Sequence, residues 1–154
     1  MKRHAALIPL THDHHHVLAQ ARRLRLAAAQ PDEERREVTE AFLEFFRAEG
    51  IRHFREEEEV IFPLAVATTG AVETLGRVMI EHLQMHSLVR HLAQELEEGS
   101  PAAETMTRTS SLFERHARFE EKVVFPMIES IAGEKKLDSV RVRETAMELD
   151  GRSS

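Results

Sequence analysis

The stretch HFREEEEVIFP at residues 53–63 returns 63 positions later as HARFEEKVVFP at residues 116–126. Each copy has a histidine, a glutamate four residues after it, and a Phe-Pro pair that closes the segment. Residues at i and i+4 lie on the same face of an α-helix, about one turn apart. An imidazole and a carboxylate at that spacing can bind one metal ion from a single helix. The repeat therefore predicts two facing helices that hold two metal ions between them.

The composition of the 154-residue chain limits the kind of protein that carries this repeat. Hydrophobic residues make up 42% and charged residues 31%, which fits one soluble helical domain with a single core. Cysteine is absent, which excludes disulfides, thiolate nucleophiles and iron–sulfur or thiolate-zinc sites. The formal net charge of -6 argues against nucleic acid as a partner. Because no apolar run is long enough for a signal peptide or a membrane span, we expect a cytoplasmic protein without a membrane segment.

Hydrophobic periodicity predicts four long helices with turn signals between them. The predicted helices cover about residues 10–29, 33–63, 71–98 and 102–131. Gln-Pro-Asp, Thr-Thr-Gly and Gly-Ser-Pro separate them. Helices joined by such short connections pack as antiparallel neighbours, so we expect an all-α, up-down-up-down four-helix bundle over residues 1–133. Residues 134–154 are predicted to form a polar tail or a short helix, without an assigned function.

A second pair of motifs extends the repeat to the other two helices. Asp13-His14 in the first predicted helix resembles Glu81-His82 in the third, at an offset of 68 residues. The chain therefore reads as two helical hairpins, each with an acid-His motif followed by a His-x-x-x-Glu motif. Either hairpin alone would expose its apolar stripe, and packing the two together buries both.

Ten histidines are many for this length, and helical angles predict which of them face the core. At about 100° per residue, His15, His16 and His91 turn away from the apolar stripes, so we expect them in solvent. Burying polar groups without partners costs on the order of several kcal/mol each, so we interpret those that fall on the stripes as a metal site. They are His14, His53, Glu57, His82, His86, His116 and Glu120.

The same helical angles and the repeat predict roles for three further positions in the second predicted helix. Glu57 is preferred to Glu56 as a ligand because Glu57 has Glu120 as its repeat counterpart. Glu49, one turn before the histidine of the first copy, is expected to bond to that histidine. Gly50 also faces the core, and because glycine is a poor helix residue we expect a close helix approach or a local distortion there.

The set of donor atoms narrows the choice of metal. Imidazoles and carboxylates favour iron or manganese, allow zinc, and disfavour calcium and magnesium. Two glutamates on facing helices are placed to bridge two metal ions about 3.5–4 Å apart. The chain contains neither the Glu-x-x-His of ferritin-like bundles nor the His-Glu-x-x-His of zinc proteases.

Taken together, the four motifs resemble the hemerythrin-like, or HHE cation-binding, domain family. The resemblance covers about residues 7–131 and rests on the two acid-His motifs and the two copies of His-x-x-x-Glu-Glu with Phe-Pro, in order on four helices. It implies a non-haem di-iron centre with an oxo or hydroxo bridge. The ligands it implies are His14, His53, His82, His86 and His116, with Glu57 and Glu120 as bridging carboxylates.

The chain departs from the family pattern at two positions. The oxygen carriers of the family have Asp five residues after the helix-four histidine, where this chain has Glu at both +4 and +5, so Glu121 is an alternative to Glu120. The repeat counterpart of His86 is Leu18, which breaks the symmetry of the two hairpins. We therefore expect two unequal iron ions, one of them with an open position for a ligand.

Three functions fit such a site. The first is reversible binding or sensing of dioxygen or nitric oxide at the open iron. The second is an enzyme that decomposes hydrogen peroxide, as a catalase or peroxidase does, and the third is iron storage or sensing. Tyrosine and tryptophan are absent, which is compatible with carrier and enzyme alike. Phe54 and Phe62 are expected at the surface, where they could support a homodimer, so monomer and homodimer both fit.

Overall fold

The computed structural model describes residues 2–143, and these form helices without a strand. The first rod is a 3-10 turn, Ala5–Leu7, followed by α1, Ile8–Ala27. The second rod joins α2, Asp32–Phe45, a π turn, Phe46–Gly50, α3, Ile51–Glu56, a second π turn, Glu57–Ile61, and a 3-10 turn, Phe62–Leu64. The third rod is α4, Thr69–Glu98. The fourth joins α5, Ala103–Phe119, a π turn, Glu120–Val124, and α6, Phe125–Asp138.

The four rods pack as a closed ring. Helix α1 contacts α2 and α5, and α4 contacts the same two helices, which closes the ring. This arrangement confirms the predicted all-α helical bundle, while the up-down-up-down order of the rods stays a prediction. Within residues 2–143, no helix is both long and apolar enough to cross a membrane.

The apolar core is divided into two clusters with a polar layer between them. One cluster contains Leu10 and Val78, and the other contains Ala21 and Met85. The buried acid-His pairs of α1 and α4 lie between these members in sequence. On the other two rods the buried His-x-x-x-Glu residues lie between the two clusters, which follow each other in the reverse order. Full burial of a large apolar side chain stabilises the fold by about 1.5–3 kcal/mol. The two clusters therefore hold the polar layer in place from above and below.

Two of the π turns begin at the repeated glutamates, where the sequence predicts uninterrupted helix. In them the amide of Phe62 donates to the carbonyl of Glu57, and the amide of Phe125 donates to the carbonyl of Glu120. The proline that follows each phenylalanine has no N–H for the carbonyl four residues earlier, which favours a change of register there. Single π turns inside helices occur frequently at functional sites. The Phe-Pro pairs of the repeat thus mark two local distortions.

The third π turn confirms the distortion expected at Gly50. A Cβ atom on Gly50 would lie 2.6 Å from Cδ2 of Phe46, closer than real Cβ contacts allow. The ring of Phe46 occupies that space and packs edge-on against Phe54 and Phe113. The close approach is therefore between a side chain and the backbone of one π turn.

Exposure follows the helical angles for most positions and differs from the prediction at Phe54, Phe62 and His86. His15, His16 and His91 are exposed, as predicted. The expectation that Phe54 and Phe62 lie at the surface is wrong, because they are 5% and 3% exposed. The ring of Phe54 stacks on the buried ring of His82, and Phe62 packs into the cluster that contains Leu10.

The chain after the fourth rod returns to the core. Gly133 has φ 74° and ψ 165° and bends α6. Beyond the bend, Leu137 and Val142 are buried in the same cluster as Leu10. The division of the chain at residue 133 stays a prediction, and residues 144–154 of the predicted tail lie outside the described residues.

Candidate metal centre

Six of the seven predicted site residues come together in the polar layer. They form two groups of four, which share two glutamates, and the candidate ligand atoms of each group lie within 4.8 Å of one another. The first group is His14, His53, Glu57 and Glu120. The second group is His82, His116 and the same two glutamates. Every member is buried, and both glutamates are completely inaccessible to solvent.

Each glutamate directs its two oxygens to different groups. Glu57 Oε1 lies 2.9 Å from Nε2 of His53, and its Oε2 lies 3.4 Å from Nε2 of His82. Glu120 Oε2 lies 2.9 Å from Nε2 of His14, and its Oε1 lies 3.1 Å from Nε2 of His116. One carboxylate oxygen for each group is the arrangement that a carboxylate bridging two metal ions requires.

Five buried polar atoms of these two groups have no hydrogen-bond partner among the described residues. Leaving a buried polar atom unpaired costs about 1–3 kcal/mol. The five atoms share one interior space between the histidines and the glutamates, so the residues present fit a metal site. They are both carboxylate oxygens of Glu57, Oε1 of Glu120, and Nε2 of His82 and His116.

All four histidines are held from behind by a carboxylate at Nδ1. Donation from Nδ1–H fixes the tautomer and the ring orientation, so that Nε2 faces the shared space. The Nδ1-to-oxygen distances are 2.7 Å for His14 to Glu121, 2.9 Å for His53 to Asp13, 2.8 Å for His82 to Glu58 and 2.7 Å for His116 to Glu81. The candidate site therefore has an inner layer of ligand atoms and an outer layer of orienting acids.

No orienting role was predicted for these acids, although they stand inside the sequence motifs. Each half of the molecule is one of the two helical hairpins. The acid of each acid-His motif bonds to the second histidine of its own half: Asp13 bonds to His53. The second glutamate of each Glu-Glu pair bonds to the first histidine of the other half: Glu121 bonds to His14. Glu121, weighed above as an alternative ligand, thus orients a histidine instead.

Glu49 does not take the role expected of it. Its Oε1 lies 3.4 Å from Nδ1 of His16 at the surface, whereas Asp13 occupies the Nδ1 side of His53. The residue that orients His53 is the acid of the acid-His motif, which lies on a neighbouring rod.

Three of the orienting acids are in turn paired with arginines. Arg143 donates to both oxygens of Asp13, at 3.0 and 2.6 Å. Arg3 donates to Glu121 at 2.9 Å. Arg77 donates to Glu81 at 3.2 Å from one turn earlier on α4 and also lies over the ring of Phe119. These cations favour the ionised form of the acids that orient the histidines.

The charges of the site oppose the effect of burial on the histidines. Burial alone lowers the pKa of a histidine, but the facing carboxylates raise the pKa of His14 and His116 from 6.5 to about 9. By the same cause the pKa of His53 and His82 rises to about 10. Burial raises the pKa of Glu120, but the histidines around it outweigh this and hold it well below 4.5. A metal ion that enters must therefore displace protons from the imidazoles.

His86 belongs to neither group. Its side chain is exposed, and its ring meets Phe46 and Phe54 edge-on at centroid distances of 5.5 and 5.6 Å. A residue four positions after His82 shares its helix face but lies about one turn higher. At that height the bundle interior holds phenylalanine rings rather than the polar layer.

Comparison with known proteins gives one match. The family model described as the hemerythrin HHE cation binding domain matches residues 8–139. No curated protein and no solved structure matches the chain significantly. The matched residues include both groups and all four orienting acids.

Proposed function

This chain belongs to the hemerythrin HHE cation-binding domain family, and we propose that it binds two iron ions and, through them, dioxygen or nitric oxide reversibly. The observation that carries the proposal is the pair of buried four-residue groups with two shared carboxylates. Oxygen binding or oxygen sensing is the function that such a site supports best.

The proposed ligand set has six members. His14 and His53 would hold one ion, His82 and His116 the other, and Glu57 and Glu120 would bridge them. Imidazole and carboxylate donors without thiolate suit iron, and sites with few protein ligands leave open positions for a small molecule. When bound, a ferrous pair supplies the electrons and the open positions that reversible uptake of dioxygen needs. His86, the seventh predicted ligand, stays outside this proposal because it lies outside both groups.

The residues around the site would favour the binding of dioxygen over the entry of water. The orienting acids keep the four Nε2 atoms directed at the shared space. Phe54 covers the ring of His82 with a centroid distance of 4.0 Å, and Phe125 stacks on His14 at 5.4 Å. An apolar surrounding of this kind limits the access of water and slows loss of the reduced form.

We also infer the up-down-up-down order of the rods. The segments between them, residues 28–31, 65–68 and 99–102, are four residues long each. Connections of this length join antiparallel neighbours in helical bundles. The inference is supported by the ring of contacts in which consecutive rods are neighbours.

Anaerobic loading with ferrous iron followed by cycles of dioxygen exposure and removal tests the function. We expect two iron ions per chain and absorption bands that appear with dioxygen and vanish when it is removed. His91→Ala, at an exposed histidine, is the matched control and should behave like the wild type.

Three outcomes would contradict the proposal. Bands that bleach irreversibly to a ferric species would exclude reversible binding. Rapid release of dioxygen from added hydrogen peroxide, lost in Glu57→Ala, would favour the peroxide-decomposing enzyme. Uptake of fewer iron ions than one per chain would exclude the carrier and the enzyme together.

A further inference from the structure

Arg143 joins two buried acids next to the candidate metal centre. Its guanidinium donates to both oxygens of Asp13, at 3.0 and 2.6 Å, and to both oxygens of Glu56, at 3.3 and 2.7 Å. Asp13 is 6% exposed and Glu56 is 9% exposed. A planar guanidinium can satisfy two carboxylates in this way, whereas a lysine ammonium cannot. Arg143 therefore fixes the position of Asp13.

The contact of Arg143 reaches a proposed ligand through one intermediate group. Oδ2 of Asp13 accepts from Arg143 and also from Nδ1 of His53 at 2.9 Å. Without the arginine, the buried carboxylate of Asp13 would lose the hydrogen bonds that Arg143 donates to both of its oxygens and, among the described residues, keep only the one from His53. It could then adopt another rotamer, which would release Nδ1 of His53 and free its ring to turn.

The segment that carries Arg143 is anchored independently of the site. The bend at Gly133 turns the chain, and Leu137 and Val142 are buried in the apolar cluster. Two hydrophobic anchors thus bring Arg143 to Asp13 across 130 positions of sequence. Its position is part of the fold rather than a surface coincidence.

The second half of the molecule has a weaker equivalent. Glu81, the counterpart of Asp13, accepts one bond at 3.2 Å from Arg77, whose side chain is 50% exposed. The side chain of Arg143 is 26% exposed. Exposed ion pairs contribute little, whereas two-oxygen pairs at buried carboxylates are stronger. The two groups therefore have the same kinds of ligands, but the acid behind the first group is held more firmly by its arginine than the acid behind the second.

We propose that Arg143 is a positioning residue for the first group: it holds Asp13 so that His53 presents Nε2 to the metal, and the metal affinity of that group depends on it. This inference rests on the proposed two-metal function. It assigns a role to the segment after Gly133, for which no function was predicted.

Anaerobic titration with Fe²⁺, in competition with a chelating dye, tests the proposal on the full chain. In Arg143→Ala one of the two binding steps should weaken by about tenfold, the range known for groups that orient ligands, and the other should stay unchanged. Arg143→Lys should restore only part of the lost metal affinity, because lysine has the positive charge but not the planar guanidinium that bonds to both carboxylates. Arg52→Ala is the matched control, since Arg52 lies 3.7 Å from Glu56 and is half-exposed.

Proton NMR of the metal-free protein gives a second readout that does not need iron. The Nδ1–H signal of His53 should broaden or move in Arg143→Ala, while that of His116 stays as in the wild type. If Arg143→Ala does not fold, Arg143→Gln provides the same comparison in both measurements.

The outcomes separate the two proposals. A wild type that does not take up two Fe²⁺ contradicts the proposed function. A wild type that takes up two, with both steps and the His53 signal unchanged in Arg143→Ala, overturns the role of Arg143. Equal weakening of both steps also overturns it, because that result indicates a general loss of stability.

Discussion

The two halves of the bundle present the same inner residues but support them differently. Each half supplies two histidines and one shared glutamate, and each histidine has its own orienting acid. In the first half the acid before the first histidine is fixed by Arg143 from the far end of the chain, and in the second by Arg77 one turn away. A symmetric set of ligands does not make two equal sites, because the residues behind the ligands also set their orientation.

The largest effect is expected from the residues that both groups share. Glu57→Ala removes one oxygen from each group, so both iron ions should be lost, with affinity lowered by more than about 100-fold. Iron content per chain after desalting measures this directly. Glu59→Ala, at an exposed glutamate in the same run, should retain both ions. A Glu57→Ala protein that still holds one ion would mean that the two groups are independent.

A comparison within α4 tests whether this helix contributes one metal-binding histidine or two. His82→Ala should remove one of the two ions, because Nε2 of His82 faces Glu57 in the second group. His86→Ala should keep both, because the side chain is exposed and lies against phenylalanine rings. Iron analysis of the two variants decides between them. Loss of an ion in His86→Ala would restore His86 as a ligand and with it the asymmetry expected from the sequence.

The metal-free protein should lose stability as the pH rises. Histidines whose pKa is raised in the folded state stabilise it fully below 6.5, and this contribution is lost as the pH approaches 9 to 10. The melting temperature should therefore fall across that interval, by about 2–4 °C for each kcal/mol lost. The iron-loaded protein should show little change there, because its imidazoles carry metal instead of protons. A metal-free melting temperature that rises across this interval would refute the ion pairing of these groups.

The smallest effect is expected at the bend that brings Arg143 to the first half. Gly133 has a backbone conformation open almost only to glycine, so Gly133→Ala should cost about 1–3 kcal/mol of stability. Iron binding to the first group should weaken by less in Gly133→Ala than in Arg143→Ala. Gly76→Ala, at an exposed position within α4, is the control and should be neutral or stabilising. Equal melting temperatures for Gly133→Ala and the wild type would show that the bend is not strained.

Helical angles and the repeat predicted correctly which face of a helix most of the polar residues occupy. Glu57 and Glu120 were predicted to face each other from two rods, and exposed histidines such as His91 were predicted to lie outside the site. They failed where height along the bundle matters, as for His86, since an angle does not say which layer a residue meets. They also misjudged Phe54, because its ring covers a histidine that belongs to another rod.

Other features could not be predicted because they depend on contacts between distant parts of the chain. Arg143 bonds to an acid 130 positions earlier, and no local pattern indicates that pairing. The two π turns at the repeated glutamates are instead local, and the Phe-Pro pair was the only sign of them in the sequence. The orienting acids stood in the motifs, but their partners lie on neighbouring rods.

The separation of these contacts in sequence has a consequence for how the protein is made. His14 is translated early, yet its neighbours Glu120 and Glu121 follow more than 100 residues later, and Arg143 comes later still. Contacts of such high sequence separation form late in folding. A nascent chain on the ribosome therefore exposes its histidines before the two groups exist, and the proposed iron site is complete only after almost the whole domain has been released.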